Sequence, residues 1–408
     1  MKKIIKGFVI AAILMPLFSN NATAQDSTQT DKPNKPNGSS ATKFLLAGKA
    51  QISWTNTMTK MAGSPDVNSN SFYPDAFMLM PLVKVNNRLF LDAQVEVDAN
   101  PTGGGAAINL VEAIAYYRVA NGLNLFAGNF SPKYGIFMGV LDDFTNRYSA
   151  DPIGMARGPQ TQTGVGIQGG LQLGYSKINY QFYVSNGPQM RVDTTTQGSS
   201  NPTGQLYYDN YLDNNKNKAI GGSIGFLPFS NSSLQVDVSG QMAGKVGDAG
   251  TPFESISSTS LAADLNYYHA FGPIMIRALA EYNSTTTKNY NYPWFTDSTH
   301  TSLVVPAFNN QFSGWFCGAT IRLTGAPGKF LKNLELGGRI GGYTPPKYNG
   351  DASTPLVSPW GENPEKQTTV CLTYWLTWKT PLNFAYDVLT TTDGPTITTY
   401  SARLIYFF

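Results

Sequence analysis

The residues best able to act on a passing solute are concentrated in one polar stretch, Ser131 to Gln160. It carries Lys133, Asp142, Asp143, Arg147, Asp151 and Arg157, with prolines at 132, 152 and 159. Opposed acids and bases on one segment, set across a water-filled passage, create a transverse field that orients and sorts charged or dipolar solutes. The same residues on a solvent-exposed surface loop would sort nothing, and a loop of this length fits either role. Covalent chemistry has little to work with. The two histidines, His269 and His300, are too few and too separated for a metal site, read as ordinary loop or turn residues, and join no identifiable Ser/His/acid set. An outer-membrane hydrolase is disfavoured on that ground, and no cofactor or metal is expected.

One further pattern has the form of a binding motif. Gly164-Val165-Gly166-Ile167-Gln168-Gly169 matches the G-x-G-x-x-G of dinucleotide sites. That mechanism needs a helix N-terminus directly after the glycines. Here Leu171-Gln172-Leu173-Gly174 and a second strand pattern follow instead, so the glycines read as a strand that bends or lets another segment approach closely.

The elements that must position these groups are strands. From Phe44 onward the periodicity is two, with no convincing helical segment. In Leu89 to Asp98, for example, Leu91, Ala93, Val95 and Val97 alternate with Asp92, Gln94, Glu96 and Asp98. One apolar and one polar face per strand is what a barrel with lipid outside and water inside requires. Charged residues make up 13% of the chain, well below the ~25% of soluble domains. No later stretch approaches the ~18 apolar residues of a membrane helix. Connections alternate between short links, such as Ala120-Asn121-Gly122 and His269 to Pro273, and longer polar stretches, such as Thr59 to Ser71 and Asn186 to Lys216. Seven short turns and eight outer loops predict an all-β transmembrane antiparallel barrel of about 16 strands, whose long third outer loop either covers the mouth or folds inward to narrow the lumen.

Residues 1–24 read as a signal peptide: Lys2, Lys3 and Lys6, an apolar core from Gly7 to Phe18, and Ala22-Thr23-Ala24 as the cleavage site. Residues 25–42 read as a flexible periplasmic leader, and residues 43–408 as the barrel. The formal net charge is +3, and the signal segment holds three lysines and no acid, so the remainder is near neutral and nucleic acid is no expected partner. In Ile397 to Phe408, Tyr400, Leu404, Tyr406 and Phe408 form an apolar set with an aromatic end, which resembles the C-terminal assembly signal of outer-membrane barrels. This strand is expected to close the barrel against Phe44, Leu46 and Gly48, with Arg403 facing water. Cys317 and Cys371 fall on opposite faces of different strands, which argues against a disulfide.

The segment Glu112-Ala113-Ile114-Ala115-Tyr116-Tyr117-Arg118, followed by Leu123 to Gly135 with its Pro132-Lys133-Tyr134-Gly135, resembles the family of phosphate-selective porins O and P. Arg157-Gly158 and the glycines from Gly164 to Gly170 complete the likeness, which covers about residues 112–170. The resemblance implies a 16-stranded, usually trimeric barrel in the outer membrane, with lipid, the barrel-assembly machinery and small hydrophilic solutes as partners. It implies a constriction at Lys133, Asp142, Asp143, Arg147 and Arg157. Phosphate selectivity does not follow from it. Alternation puts Lys49, Arg118, Lys177, Lys245, Arg277, Arg322, Arg339, Lys379 and Arg403 on the lumen side, beside Asp92, Glu96, Asp98, Glu112, Asp237, Asp264, Glu281, Glu335 and Asp387. Balanced signs produce either a cross-lumen field or neighbouring pairs that only stabilise the wall. The expected function is passive diffusion of small hydrophilic solutes or ions through a water-filled barrel. A plugged structural or adhesive barrel is the alternative.

Overall fold

The computed structural model describes residues 42–408 apart from 100–105, 137–145, 155–157, 191–203, 209–212, 252, 291–293, 296–302, 305–307, 349–359, 361 and 393. The signal and leader segments therefore lie outside the described residues, as do Asp142, Asp143, Arg157 and His300.

Sixteen strands form one closed antiparallel barrel, each paired with its chain neighbours. In chain order they are β1 (Lys43–Lys60), β2 (Val67–Lys84), β3 (Leu89–Ala99), β4 (Ala106–Ala120), β5 (Leu123–Phe130), β6 (Gln162–Leu173), β7 (Ser176–Ser185) and β8 (Ala219–Leu227). They continue as β9 (Leu234–Ala243), β10 (Ser258–Phe271), β11 (Ile274–Thr287), β12 (Gln311–Leu323), β13 (Leu334–Thr344), β14 (Glu365–Thr377), β15 (Thr380–Thr391) and β16 (Thr396–Phe407). At one end the links are tight turns, apart from a single helical turn, α1 (Lys329–Lys332), between β12 and β13. The other end carries the longer loops.

The period of two becomes an inside and an outside. On β9, Val236, Val238 and Met242 are exposed outward, while Asp237, Ser239 and Gln241 are buried inward. On β14, Val370 and Leu372 face out against buried Gln367, Thr369 and Thr373. The outer surface is the apolar one, which suits lipid, and closure leaves no unpaired backbone around the wall at that level. Cys317 is exposed on β12 and Cys371 buried on β14, both as free thiols on opposite faces.

The barrel closes between β1 and β16. Leu404 lies opposite Ile52, Tyr406 opposite Ala50 and Tyr400 opposite Asn56. Gly48 and Phe408 exchange backbone hydrogen bonds of 3.1 and 3.3 Å. The expected partners Phe44 and Leu46 lie beyond the end of β16 and pair only with Val83 and Pro81 of β2. The face was read correctly; the offset was not, because closing a barrel staggers the first and last strands by an amount that alternation does not encode. Arg403 faces the lumen and is 7% exposed, whereas Leu404 beside it is 39% exposed on the outside.

Two further boundaries differ from expectation. The stretch Thr59 to Ser71 is mostly strand, and the connection is only residues 61–66. Its Asn, Ser and Thr residues read as loop because this hairpin runs past the apolar band, where neither face needs to be greasy. His269 belongs to β10 and not to a turn. Its ring lies against Phe271 at 4.6 Å between centroids and against Tyr267 at 6.3 Å, on the outward side with Leu261.

Candidate functional site

The segment after β5 enters the barrel and is held by inward-facing side chains in strand order. Ser131 N donates to Glu112 Oε1 of β4 at 3.0 Å, and Lys133 N to Gln181 Oε1 of β7 at 2.8 Å. Gly135 N donates to Ser239 Oγ of β9 at 3.0 Å, and Ile136 N to Glu281 Oε2 of β11 at 2.8 Å. Tyr134 is buried, and its hydroxyl donates to Leu261 O at 3.0 Å. Gly135 has φ +63°, and a Cβ there would sit 2.3 Å from Glu281 Oε1. This position therefore requires glycine twice over, for backbone conformation and for space.

Residues 146–154 lie against the other side of the wall. Arg403 Nη2 of β16 donates to Asn146 O at 2.6 Å, and Arg339 Nη2 of β13 to Ala150 O at 2.7 Å. Gln367 of β14 donates to Asp151 O at 3.0 Å and accepts from Ile153 N at 3.3 Å. Ser401 donates to Ser149 Oγ at 2.9 Å, and Ser149 holds φ +66°, a strained conformation for a residue with a Cβ. The same loop thus spans the lumen side of β4, β7, β9, β11, β13, β14 and β16.

Its charged groups meet partners on the wall. Arg147 lies 3.9 Å from Glu335 and stacks over the Trp375 ring at 4.8 Å, while Arg322 lies over that ring at 5.2 Å. Trp375 Nε1 donates to Glu335 Oε2 at 3.0 Å. Arg339 lies 4.9 Å from the centroid of Tyr148. Lys133 faces Asp237 and Asp264; burial pushes its ammonium below the usual lysine range, and the two carboxylates oppose that shift.

The wall charges fall into sectors. Asp237, Asp264 and Glu281 stand directly opposite one another across β9, β10 and β11, all buried and inward. Lys49, Arg277, Arg322, Arg339 and Arg403 lie on β1, β11, β12, β13 and β16, and Glu335 and Asp387 on β13 and β15 are interspersed among them. On β3, Asp92 and Glu96 share the face of buried Gln94. Arg118 lies 5.4 Å above the Phe90 ring near the short-turn end. Two residues expected on the wall are elsewhere. Lys245 follows β9 and pairs with Glu254 at 2.5 Å, and Lys379 sits in the turn after β14 over Trp378. Each lies two residues past a strand end, where alternation stops predicting a face.

Asp75 escaped the sequence reading. A register shift between Gln51 and Ile52 bulges β2 at Pro74-Asp75, and Asp75 accepts from Gln51 and, at 2.6 Å, from Ser53 on the inner face. The proline inside a strand pattern was the available signal. The glycine run of β6 is explained by packing. Gly166 points inward where a Cβ would meet the Phe126 ring at 2.5 Å. Phe126, Phe130, Tyr183 and Ile114 form a buried aromatic cluster there.

The outer mouth is partly covered. Met190, Leu206, Tyr208, Val246, Phe253, Ile256 and Phe308 pack together from three long connections, and Phe312, Tyr343 and Trp360 form a second cluster with Ile153 of the inserted loop.

No family model matches the chain, and no curated protein sequence matches it. Solved structures do. The outer membrane channel DcaP of Acinetobacter baumannii aligns with a TM-score of 0.55 at 13% identity, over 91% of this chain and 99% of that one. The barrel has the porin fold. The anion-selective porin from Comamonas acidovorans aligns at 0.52 and 12% identity, over 90% of this chain and all (100%) of that one. OmpF of Salmonella typhi aligns at 0.51 and 12%, over 90% and 97% respectively. At such identities the likeness to these porins is one of fold.

Proposed function

We propose that this porin-fold barrel is an outer-membrane porin of a Gram-negative bacterium, through which small hydrophilic solutes or ions diffuse passively. The observation that carries the reading is the combination of an apolar outer surface, a polar and charged inner wall, and a loop laid across the lumen. In such a channel, selectivity comes from pore radius, wall charge and the inserted segment, with no reaction step. Loop 131–160 is the constriction in this reading, with Lys133 turned to Asp237 and Asp264 of the wall and Arg147 to Glu335. The acidic sector on β9–β11 and the arginines on β12, β13 and β16 supply a lateral field.

The local resemblance of residues 112–170 to the phosphate-selective porins O and P supports the inserted loop more than the solute. Acids are interspersed with the arginines, so a phosphate preference is not part of the proposal. A homotrimer, a cleaved signal peptide, insertion by the barrel-assembly machinery and contact with outer-membrane lipid complete it. The covered mouth favours a second reading, a barrel plugged by its own loops. Conductance of the purified protein in planar bilayers separates the two. Stepwise channels support diffusion; folded β-structure without steps supports the plug. The reversal potential in a salt gradient then reads the charge preference.

A further inference from the structure

At the short-turn end of the barrel, one link is longer than the rest and is held in a fixed shape. Between β12 and β13 the chain takes ten residues, 324–333, where the other links at that end take two to six. Arg322 Nε donates to Lys332 O at 2.8 Å and its Nη2 to Asn333 Oδ1 at 3.3 Å, so the wall caps the end of α1. Asn333 O in turn accepts from Trp375 N at 2.8 Å, which sets α1 beside the turn from β14 to β15.

The outward side of this corner is aromatic and apolar. Tyr374 lies between inward Thr373 and Trp375, so its ring faces lipid, and Phe330 of α1 packs against it at 5.3 Å between centroids. Phe330 is nonetheless 63% exposed, and Leu331, Leu376 and Trp378 are exposed around it. Exposed rings and leucines at this level fit the boundary between acyl chains and headgroups. The charged groups of the same corner are cationic. Lys329 and Lys332 are exposed at the two ends of α1, and Lys379 lies 5.1 Å from the Trp378 ring. Among the described residues, the turns at this end hold no Asp or Glu. The nearest acid in sequence, Glu335, is buried toward the lumen and accepts from Trp375 Nε1. An apolar step that ends in positive charge complements a lipid whose headgroup is negative. A cell-wall polymer would meet the lysines but leave Phe330 and Leu331 in water.

We propose that Lys329, Lys332 and Lys379 hold the headgroup of an anionic phospholipid of the phosphatidylglycerol class, in the leaflet at the short-turn end, with Phe330 and Trp378 against its acyl chains. This rests on the outer-membrane placement proposed above and not on whether the barrel conducts. The test uses the whole protein in phosphatidylcholine vesicles with a minor fraction of phosphatidylglycerol. Bromine is carried on the acyl chains of the phosphatidylglycerol in one preparation and of an equal fraction of phosphatidylcholine in the other. Quenching of Trp378, taken as the difference from Trp378→Phe in each background, reads which lipid lies beside it. Phosphatidylglycerol should be enriched roughly tenfold or more, and the enrichment should fall at least about fivefold in Lys329→Gln/Lys332→Gln, about fivefold being the effect of one lysine at an anionic surface. Lys60→Gln, at the opposite end of β1, should leave it unchanged. The wild-type comparison keeps the test decisive if the double variant fails to fold. Equal quenching by the two lipids in the wild-type protein, or an enrichment that survives Lys329→Gln/Lys332→Gln, would overturn the site. Equal quenching together with lysine-dependent binding to peptidoglycan sacculi would overturn it in favour of the cell wall. Protein that does not enter the vesicles at all refutes the membrane placement itself, so the two failures are distinguishable.

Discussion

Replacing Gly135 with alanine should release the first half of the inserted loop from the wall. Gly135 holds φ +63°, and the added Cβ would sit 2.3 Å from Glu281 Oε1. Left-handed backbone costs a residue with a Cβ about 1–2 kcal/mol. The clash is with a carboxylate that is 4% exposed and accepts from Ile136 N at 2.8 Å, so relief comes by breaking that hydrogen bond. Losing a hydrogen bond to a charged group costs about 1.5–3 kcal/mol. Together the penalty is about 2.5–5 kcal/mol, which lowers the anchored-to-released ratio by roughly 10²–10³·⁵. Gly63→Ala is the matched control, since φ is +78° there with nothing within 4 Å of the added carbon. The assays are single-channel conductance with its open-channel noise, and limited proteolysis mapped over residues 131–160. Gly135→Ala should raise the noise and expose the loop to cleavage, while Gly63→Ala leaves both at wild-type values. If the two variants behave alike, the anchoring of this segment to Glu281 has been misread.

Other outcomes follow from the same geometry. Because burial holds the Lys133 ammonium below its usual range of about 10.5, raising the pH toward that value should discharge it early and shift the reversal potential toward cation preference. Lys133→Met should remove the alkaline shift. In stability terms the depressed value means that folding disfavours the charged form, so this group's contribution rises as pH climbs through its folded value. Trp375→Phe removes the indole donor to Glu335 and should destabilise the barrel by about 1–3 kcal/mol in denaturant unfolding; an unchanged midpoint would show that bond to be immaterial. A charged maleimide should label neither Cys317 nor Cys371 in vesicles, and both after denaturation; a disulfide on unfolding would contradict the assigned faces.

Much of the wall was legible because its physics is local. Lipid on one side and water on the other impose a two-residue period, and that period alone assigns Arg339, Glu335 and Arg403 to the inner face, where all three are buried. What was not legible depends on distance or on exceptions to the period. The pairing of Tyr400, Leu404 and Tyr406 with Asn56, Ile52 and Ala50, rather than with Phe44 and Leu46, is set by barrel stagger. The bulge that swings Asp75 inward breaks the alternation at one residue. His269 sat where a turn was expected because β10 continues to Phe271, and its aromatic neighbours on the outer face are strand residues. The groups that hold the inserted loop, such as Gln181, Ser239 and Gln367, are ordinary polar strand residues whose partners lie tens to hundreds of positions away. Nothing in their own neighbourhood marks them.

The seam between β1 and β16 has a consequence for the order of assembly. Every other wall contact joins consecutive strands and can form as hairpins do. The seam joins residues such as Thr57 and Thr399, separated by 342 positions. Bringing such distant segments together carries the largest loop-closure entropy in the molecule, so it is the natural last step. The same strand brings Ser401 and Arg403, which grip Ser149 and Asn146 across 252 and 257 positions. Until β16 arrives, the far end of the inserted loop has only part of its holdfast. Sealing the wall and fixing the shape of its interior are then one kinetic event, and an intermediate lacking its last strand is both unsealed and unset inside.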